Sequence, residues 1–423
     1  MGSEKPRILR ELTRYTRRRR LPAGNAKTTK DNVRRSAGRR RYEIMANTAG
    51  VTEGSTVTGV AVAERAAAER SLWLSSLPSI RRAPISDLLP QLLGGAGLEP
   101  LTEPIAAPVM TVARTLAVGH GPVSDIAVSP DGRHLVTAHY GADVVCVIDT
   151  ATLSVTATID GLSEPYAAVI VGDRAYVSAA SNAEDAVVAV DTRTATPLAA
   201  KTFDMTLSGL AVSPAGDVLF VGRTGEDDLD IAVIDIESGS VSSIAIPAAP
   251  GSSIETVRLN ADGTRLFAAL TTPTGGMLAI IDTRARAVKA SVSIDGSIGD
   301  IAVVPNGRTI FATGWDVDLG GVIHVIDVAR ARVTDTIDMG GVPTQLVLSR
   351  GGACAYIVDR DEIAVMCTAT TEIVDNVVIG PQLSCLAVDP VRNRLYAADY
   401  AGAITAVRLD PAVPQPQLAV AAS

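Results

Sequence analysis

From residue 111 onward the chain alternates short β-branched apolar runs with clusters of turn residues, and the runs repeat. One phrase is apolar-Ile-Asp-Thr: VCVIDT at 145–150, VVAVDT at 187–192, IAVIDI at 231–236, LAIIDT at 278–283 and IHVIDV at 323–328. Its Asp stands at 149, 191, 235, 282 and 327; Cys367 takes the slot in a sixth copy and Asp410 lies at or beside it in a seventh. The spacing of 40–47 residues is that of one four-stranded propeller blade.

A second phrase keeps step with the first. It reads DIAVSPDGRHLVTA at 125–138, GLAVSPAGDVLFVG at 209–222, DIAVVPNGRTIFAT at 300–313 and CLAVDPVRNRLYAA at 385–398, with looser copies from Tyr166, Thr256 and Gln345. Each is a strand, a tight turn and a returning strand. With the strands of a blade lettered a to d, this phrase supplies a and b, the Ile-Asp-Thr phrase c, and runs such as SVTATI at 154–159 supply d. Seven a–b–c sets result. The last is followed by proline-rich PAVPQPQ rather than a d strand, while TVARTLAV at 111–118 is a spare d-like strand ahead of the first. The pattern therefore predicts an all-β fold, a seven-bladed β-propeller over 111–410 closed by that N-terminal strand, which leaves no open sheet edge between first and last blades.

The rest of the chain is different in texture. Residues 1–45 hold fifteen Lys or Arg against four Asp or Glu, a net of +11, and include Arg17-Arg18-Arg19-Arg20 with few apolar residues. This arm is expected to be disordered and to attract nucleic acid or anionic lipid. Residues 46–110 read as a linker with short helices, one over 57–77 with Glu64, Arg65, Glu69 and Arg70 on its polar side, before Pro78, Pro84 and Pro90 break the pattern. Residues 411–423 are expected to be a disordered tail. Residues 111–423 carry nineteen basic against thirty-six acidic residues, a net of -17.

Four cysteines without a CxxC or CxxCH point to neither a zinc knuckle, covalent haem nor a disulfide framework. If Arg360-Asp361 is a two-residue turn, Asp359 faces Glu362, and counting back sets Cys354 opposite Cys367. No apolar run is long enough to span a bilayer, and the basic stretch is not followed at once by an apolar one as a cleaved signal requires, so a cytoplasmic protein is expected.

The phrases VIDTATLSVTATID and DIAVSPDGRHLVTA resemble the YVTN-type β-propeller repeat of bacteria and archaea, which is close to the seven-bladed lactonase-like propellers. The resemblance covers about 300 residues and encodes blades rather than sites. It implies a propeller fold, and relatives that include surface-layer proteins, electron-transfer subunits and sugar lactonases.

The face formed by the b–c and d–a connections, here the loop face, gathers acids: Asp143, Glu184, Asp185, Glu226, Asp227, Asp228, Asp230, Asp316, Asp318, Asp359, Asp361 and Asp399, against Arg223 and Arg360. The opposite turn face holds twelve of the body's arginines, so a disc acidic on one side is expected, able to steer a basic partner. Acids at alternate positions in GEDDLD and WDVDLG, namely Glu226, Asp228, Asp230, Asp316 and Asp318, suit a hard cation such as calcium. No motif calls for another cofactor. The recurring Asp of the Ile-Asp-Thr phrase is read as structural, its carboxylate bonding the backbone of the c–d turn.

Aligning the a strands stacks Asp125, Tyr166, Gly209, Thr256, Asp300, Gln345 and Cys385 at one position beside the central channel, where they could bind a small polar ligand. His120 and His139 fall in loops of the first blade, His134 on a b strand and His324 on a c strand, with no clustered base or metal triad. The sequence thus predicts a monomeric, non-enzymatic platform binding a protein or small polar ligand through the loop face or channel mouth. The alternative is a lactonase-like hydrolase working around Asp125, Asp300 and Tyr166.

Overall fold

The structure, a computed structural model, describes residues 107–411 except 182, 183 and 227. The basic arm, the expected helical linker up to residue 106, and residues 412–423 of the tail expected at 411–423 lie outside the described residues; of the linker span, residues 107–110 are described and hold no helix.

Among the described residues, twenty-eight strands form seven four-stranded antiparallel sheets. The first strand, β1 (Val109–Ala117), stands apart in sequence from its sheet. Blade one is β2 (Val123–Val128), β3 (His134–His139), β4 (Val144–Asp149) and β5 (Ser154–Asp160). Blade two is β6 (Pro165–Val171), β7 (Arg174–Ala179), β8 (Asp185–Asp191) and β9 (Thr196–Phe203). Blade three is β10 (Thr206–Val212), β11 (Val218–Thr224), β12 (Leu229–Asp235) and β13 (Val241–Ala245). Blade four is β14 (Ser253–Leu259), β15 (Arg265–Thr272), β16 (Gly275–Asp282) and β17 (Ala287–Ile294). Blade five is β18 (Ser297–Val303), β19 (Thr309–Asp316), β20 (Gly320–Asp327) and β21 (Arg332–Asp338). Blade six is β22 (Pro343–Leu348), β23 (Cys354–Asp359), β24 (Glu362–Cys367) and β25 (Ile373–Val378). Blade seven holds β26 (Leu383–Val388), β27 (Arg394–Asp399) and β28 (Ala403–Asp410), and its outer strand is β1, in register from Val109↔Asp410 to Ala117↔Ala403.

Burial explains the composition of the strands. The b and c strands lie between neighbouring blades and are buried on both faces, as in β3 and β4, so apolar residues stand on both faces of the strand, as in the VVCVI run of β4. The d strands line the perimeter and alternate with solvent, as β5 does with SVTATID. Seven apolar clusters form, one at each blade–blade interface, and the seventh joins blade seven to blade one through Tyr396, Val123, Ile126 and Leu135. Each is seeded by the third residue of the preceding blade's b strand. That residue is aromatic in Tyr176, Phe220, Phe267, Phe311, Tyr356 and Tyr396, and Val136 in blade one. With only 3% aromatic residues in the chain, this concentration marks where large side chains matter most.

The recurring Asp closes the c–d turns. Asp149 accepts from Thr152 N–H at 2.7 Å, Asp235 from Ser238 N–H at 2.7 Å, Asp282 from Ala285 N–H at 2.7 Å and Asp327 from Arg330 N–H at 2.8 Å. The contact is three residues on, because the turn carries an extra left-handed residue: Leu153, Ala195, Arg286 and Ala331 have φ of 48–52° and Gly239 has 68°. The Thr after the Asp also has a job. Thr150 and Thr283 hydroxyls donate to the carbonyls of Gly132 and Gly263 at 2.6 and 2.7 Å, tying the c–d turn to the a–b turn of the same blade.

The a–b turns in turn touch the preceding blade. A Cβ added to Gly352 would lie 2.4 Å from Pro305 Cδ, one on Gly263 2.6 Å from Pro214 Cδ, and one on Gly216 2.6 Å from Val171 Cγ1. At the junction of last and first blades arginines take over. Arg392 donates to the carbonyl of Gly132, and Arg114 of β1 donates to that of Thr152. Arg394 reaches Thr150 O at 3.4 Å, and the fully buried Asp389 carboxylate accepts from Val391 and Arg392 N–H at 2.8 Å.

Cys354 and Cys367 are paired across β23 and β24, with Asp359 opposite Glu362. All four cysteines are free thiols and buried. No helix among the described residues is long and apolar enough to cross a membrane.

Candidate functional site

The innermost strand of each blade faces the channel, and strand pairing fixes which residues are equivalent there. Asp125, Gly209, Thr256, Asp300, Gln345 and Cys385 share one level, each a residue before the a-strand position that pairs with the b strand at Thr137, Val221, Ala268, Ala312, Ile357 or Ala397. Tyr166 does not. The equivalent residue of blade two is Ala167, because the Gly172-Asp173 turn is two residues shorter than the a–b turns of the other blades and puts this copy out of step with them. Tyr166 falls one residue nearer the loop face.

Three members of the level are tied to the next blade. Asp125 Oδ2 accepts from Ala168 N–H at 2.9 Å while its Oδ1 accepts from Ile126 N–H at 2.9 Å. Asp300 Oδ2 accepts from Leu346 N–H at 3.4 Å, and Gln345 Oε1 accepts from Leu386 N–H. All three cap the same N–H, that of the Ile126 position in the following blade. They act as clasps between inner strands. Gly209 has no side chain for this, and a Cβ there would lie 2.7 Å from Val257 N: blades three and four close directly, backbone to backbone.

A residue that sequence reasoning passed over dominates the channel charge. Arg258 donates to Thr256 Oγ1 at 2.8 Å, to Val257 O at 3.1 Å and to Asp300 Oδ1 at 2.8 Å. It stands two places after Thr256 in a looser copy, where the repeat elsewhere has an apolar or small residue, and that departure was the available signal. Burial pushes the Asp125 carboxyl up to about 6, with Asp300 adding to the rise and Ala168 N–H, Arg258 and Ile126 N–H opposing it. Cys385 lies deep beside it. Burial drives its thiol well above the usual range, and Asp125 adds to the shift. The Tyr400 phenol is likewise pushed up by burial, then by Cys385 and Tyr166. Thiol and phenol therefore stay protonated at neutral pH, and the channel offers hydrogen-bond donors and acceptors around one ion pair.

The alternating acids are spent separately. Asp230 is held by Arg223 through two bonds of 2.6 and 2.5 Å. Asp316 Oδ1 accepts from Asp318 and Leu319 N–H at 2.8 and 2.9 Å, closing the hairpin tip. Glu226 and Asp228 line a cavity of about 250 Å³ walled by Leu229, Ile246, Pro247 and Ala248. Among the described residues no group of three or more His, Cys, Asp or Glu side chains is placed to hold a metal ion. His139, expected in a loop, is instead the buried last residue of β3, bonded to Thr137 Oγ1 at 2.9 Å and Gly121 O at 3.2 Å.

The loop face carries the largest exposed charge. Asp160, Glu184, Asp204, Glu226, Asp228, Asp295, Asp318, Asp338 and Asp361 are exposed in its loops and strand ends, against Arg360 among the described residues there. Half-buried acids beneath them serve structure: Asp143 caps Glu164 N–H at 2.9 Å and Asp359 caps Val342 N–H at 2.7 Å.

No family model matches the chain. The seven-bladed beta-propeller protein Rv1057 of Mycobacterium tuberculosis is 32% identical over 325 residues, which are 69% of this chain and 82% of that protein. The chain belongs to the seven-bladed β-propeller proteins. This propeller protein is also 36% identical over 263 residues to a seven-bladed beta-propeller protein of Mycolicibacterium smegmatis, covering 62% of this chain and 71% of the relative. Among solved structures, Kuenenia stuttgartiensis hydrazine synthase matches with a TM-score of 0.62 at 20% identity over 70% of this chain and 97% of that one. The β-propeller domain of Cps50 (Swd1) from Myceliophteria thermophila matches at 0.60 and 16% identity over 71% and 100%. At these identities the two structures share the fold.

Proposed function

We propose that this propeller is a non-enzymatic binding protein whose acidic loop face takes a basic protein partner. The observation that carries the reading is the charge of that face: nine exposed carboxylates against one exposed arginine in its described loops and strand ends. A field of one sign over a broad rigid face raises the encounter rate of an oppositely charged partner and selects against acidic ones. The hydrolase reading fares less well. Each oxygen of Asp125 and Asp300 already accepts a bond, from Ala168 and Ile126 N–H and from Leu346 N–H and Arg258 respectively, and this supports reading the two carboxylates as clasps that hold the ring. The YVTN-type resemblance agrees with a repeat that supplies scaffold rather than chemistry.

The test titrates the full chain with a labelled short oligoarginine peptide and, separately, with oligoglutamate. Oligoarginine should bind with an affinity that falls steeply as salt rises, and Glu184→Gln, Asp204→Asn, Glu226→Gln together should weaken it about tenfold. Absence of binding at low salt would overturn the proposal. So would hydrolysis of a member of a lactone panel that Asp125→Asn abolishes.

A further inference from the structure

The acidic face is not uniform. The b–c hairpin of blade five carries an exposed apolar knob, with Trp315 49%, Val317 83% and Leu319 44% exposed. Large apolar side chains clustered on one hairpin tip are uncommon unless something covers them. The tip is also held in shape: Asp316 caps two N–H groups within it, Trp315 N–H donates to Ser297 Oγ at 3.1 Å, and the indole lies over Gly320. Acids ring it. Gly296 packs on the Trp315 carbonyl, which brings the exposed Asp295 alongside, Asp338 pairs with Val322 of the same hairpin, and Asp318 is at the tip. The complement of such a surface is a segment with apolar side chains in one stripe and arginines around them.

The chain itself contains one. Residues 7–21, RILRELTRYTRRRRL, set Ile8, Leu12 and Tyr15 at i, i+4 and i+7, a spacing that aligns them on one helix face. Arg7, Arg10, Arg14 and Arg17 to Arg20 surround them with Glu11 as the single acid. We infer that residues 7–21 dock on the Trp315 hairpin of their own propeller, the apolar stripe covering Trp315 and Val317 and the arginines meeting Asp295, Asp318 and Asp338. The inference rests on the reading of the loop face as a surface for basic partners, and it makes the arm the resident occupant that such a partner must displace. Reach is no obstacle: 85 residues separate Leu21 from Ala107, a contour of up to roughly 280 Å. Tethering also supplies the segment at an effective concentration near millimolar, enough for a weak contact to be filled.

Trp73 and Trp315 are the chain's two tryptophans, so Trp73→Phe leaves Trp315 as the sole reporter. In that full-length variant, acrylamide quenching of Trp315 should be about twofold weaker at low salt than at high salt. Two further changes should each raise low-salt quenching to the high-salt value: Arg17, Arg18, Arg19 and Arg20→Ser, and Ile8, Leu12 and Tyr15→Ser. Both lie outside the propeller and leave its melting unchanged. Equal quenching in all three proteins at low salt would overturn the inference, and protection that fades on dilution would assign the contact to a second copy and overturn the intramolecular docking. If the three quench alike while oligoarginine still binds, the arm is excluded and the proposed function stands.

Discussion

Replacing Gly352 by alanine tests whether the a–b turns are the gaskets of this ring. Gly352 has φ +71°, where an alanine costs about 1–2 kcal/mol, partly offset by about 0.4–1 kcal/mol from a stiffer unfolded chain. Its new Cβ would also sit 2.4 and 2.8 Å from Cδ and Cγ of Pro305, a rigid ring on the neighbouring blade, so the turn must move and over-packing adds about 1–3 kcal/mol. Gly172 is the internal control. It has φ +54° in the equivalent turn of blade two, with nothing within 4 Å of an added Cβ. Gly172→Ala should therefore cost about 1 kcal/mol and Gly352→Ala about 2–4 kcal/mol, a difference that comes from the contact between blades. At about 2 °C per kcal/mol for a domain of this size, the two melting temperatures should fall by roughly 2 °C and 4–8 °C. Paired thermal melts and urea titrations followed by far-ultraviolet circular dichroism read both. Equal losses would show that Pro305 yields freely, and the gasket argument would fail.

Asp125 gives a pH-dependent expectation. Its carboxyl titrates near 6 when folded and near 3.8 when unfolded, so its ionisation favours the unfolded chain, and the penalty grows as pH rises from about 4 to 6. Asp125→Asn should gain stability relative to the parent by about 2–3 kcal/mol between pH 3.5 and 7, read as the difference in urea midpoints; a pH-independent difference would refute the shift. Truncation checks closure. A chain beginning at residue 120 lacks β1 and bares the edge of β28, so it should melt lower than one beginning at 106 and aggregate more readily; equal melting would show that β1 adds nothing to the ring.

The fold was legible because a propeller writes its period twice, in the a–b phrase and in the Asp that closes each c–d turn. Both are local devices, so spacing alone exposes them. The Cys354–Cys367 register was legible for the same reason, through a two-residue turn. The b-strand aromatics were equally on display, since Phe220, Phe267, Phe311, Tyr356 and Tyr396 keep the repeat's period; reading for turns rather than for bulk passed over them. What lies between blades was not legible. That Asp125, Asp300 and Gln345 stand beside the channel could be read from the repeat, but the bond each makes to the next blade, 41–46 residues on, could not. Tyr166 was misplaced by a two-residue shortening of the a–b turn, which puts the residues before it out of step with the other copies.

The pairing of β1 with β28 sets a timetable for synthesis. β1 leaves the ribosome near residue 117, and its partner begins at residue 403. At about 5–20 residues per second the strand waits roughly 15–60 s with its hydrogen-bonding edge unoccupied. Its make-up suits the wait: Thr111, Arg114 and Thr115 are polar, and most of its side chains still face water in the finished ring. Among the described residues, the last strand to be made completes the blade begun by the first, so a chain stalled before residue 403 leaves the edges of both β1 and β27 open and can be told from a finished one by those edges alone.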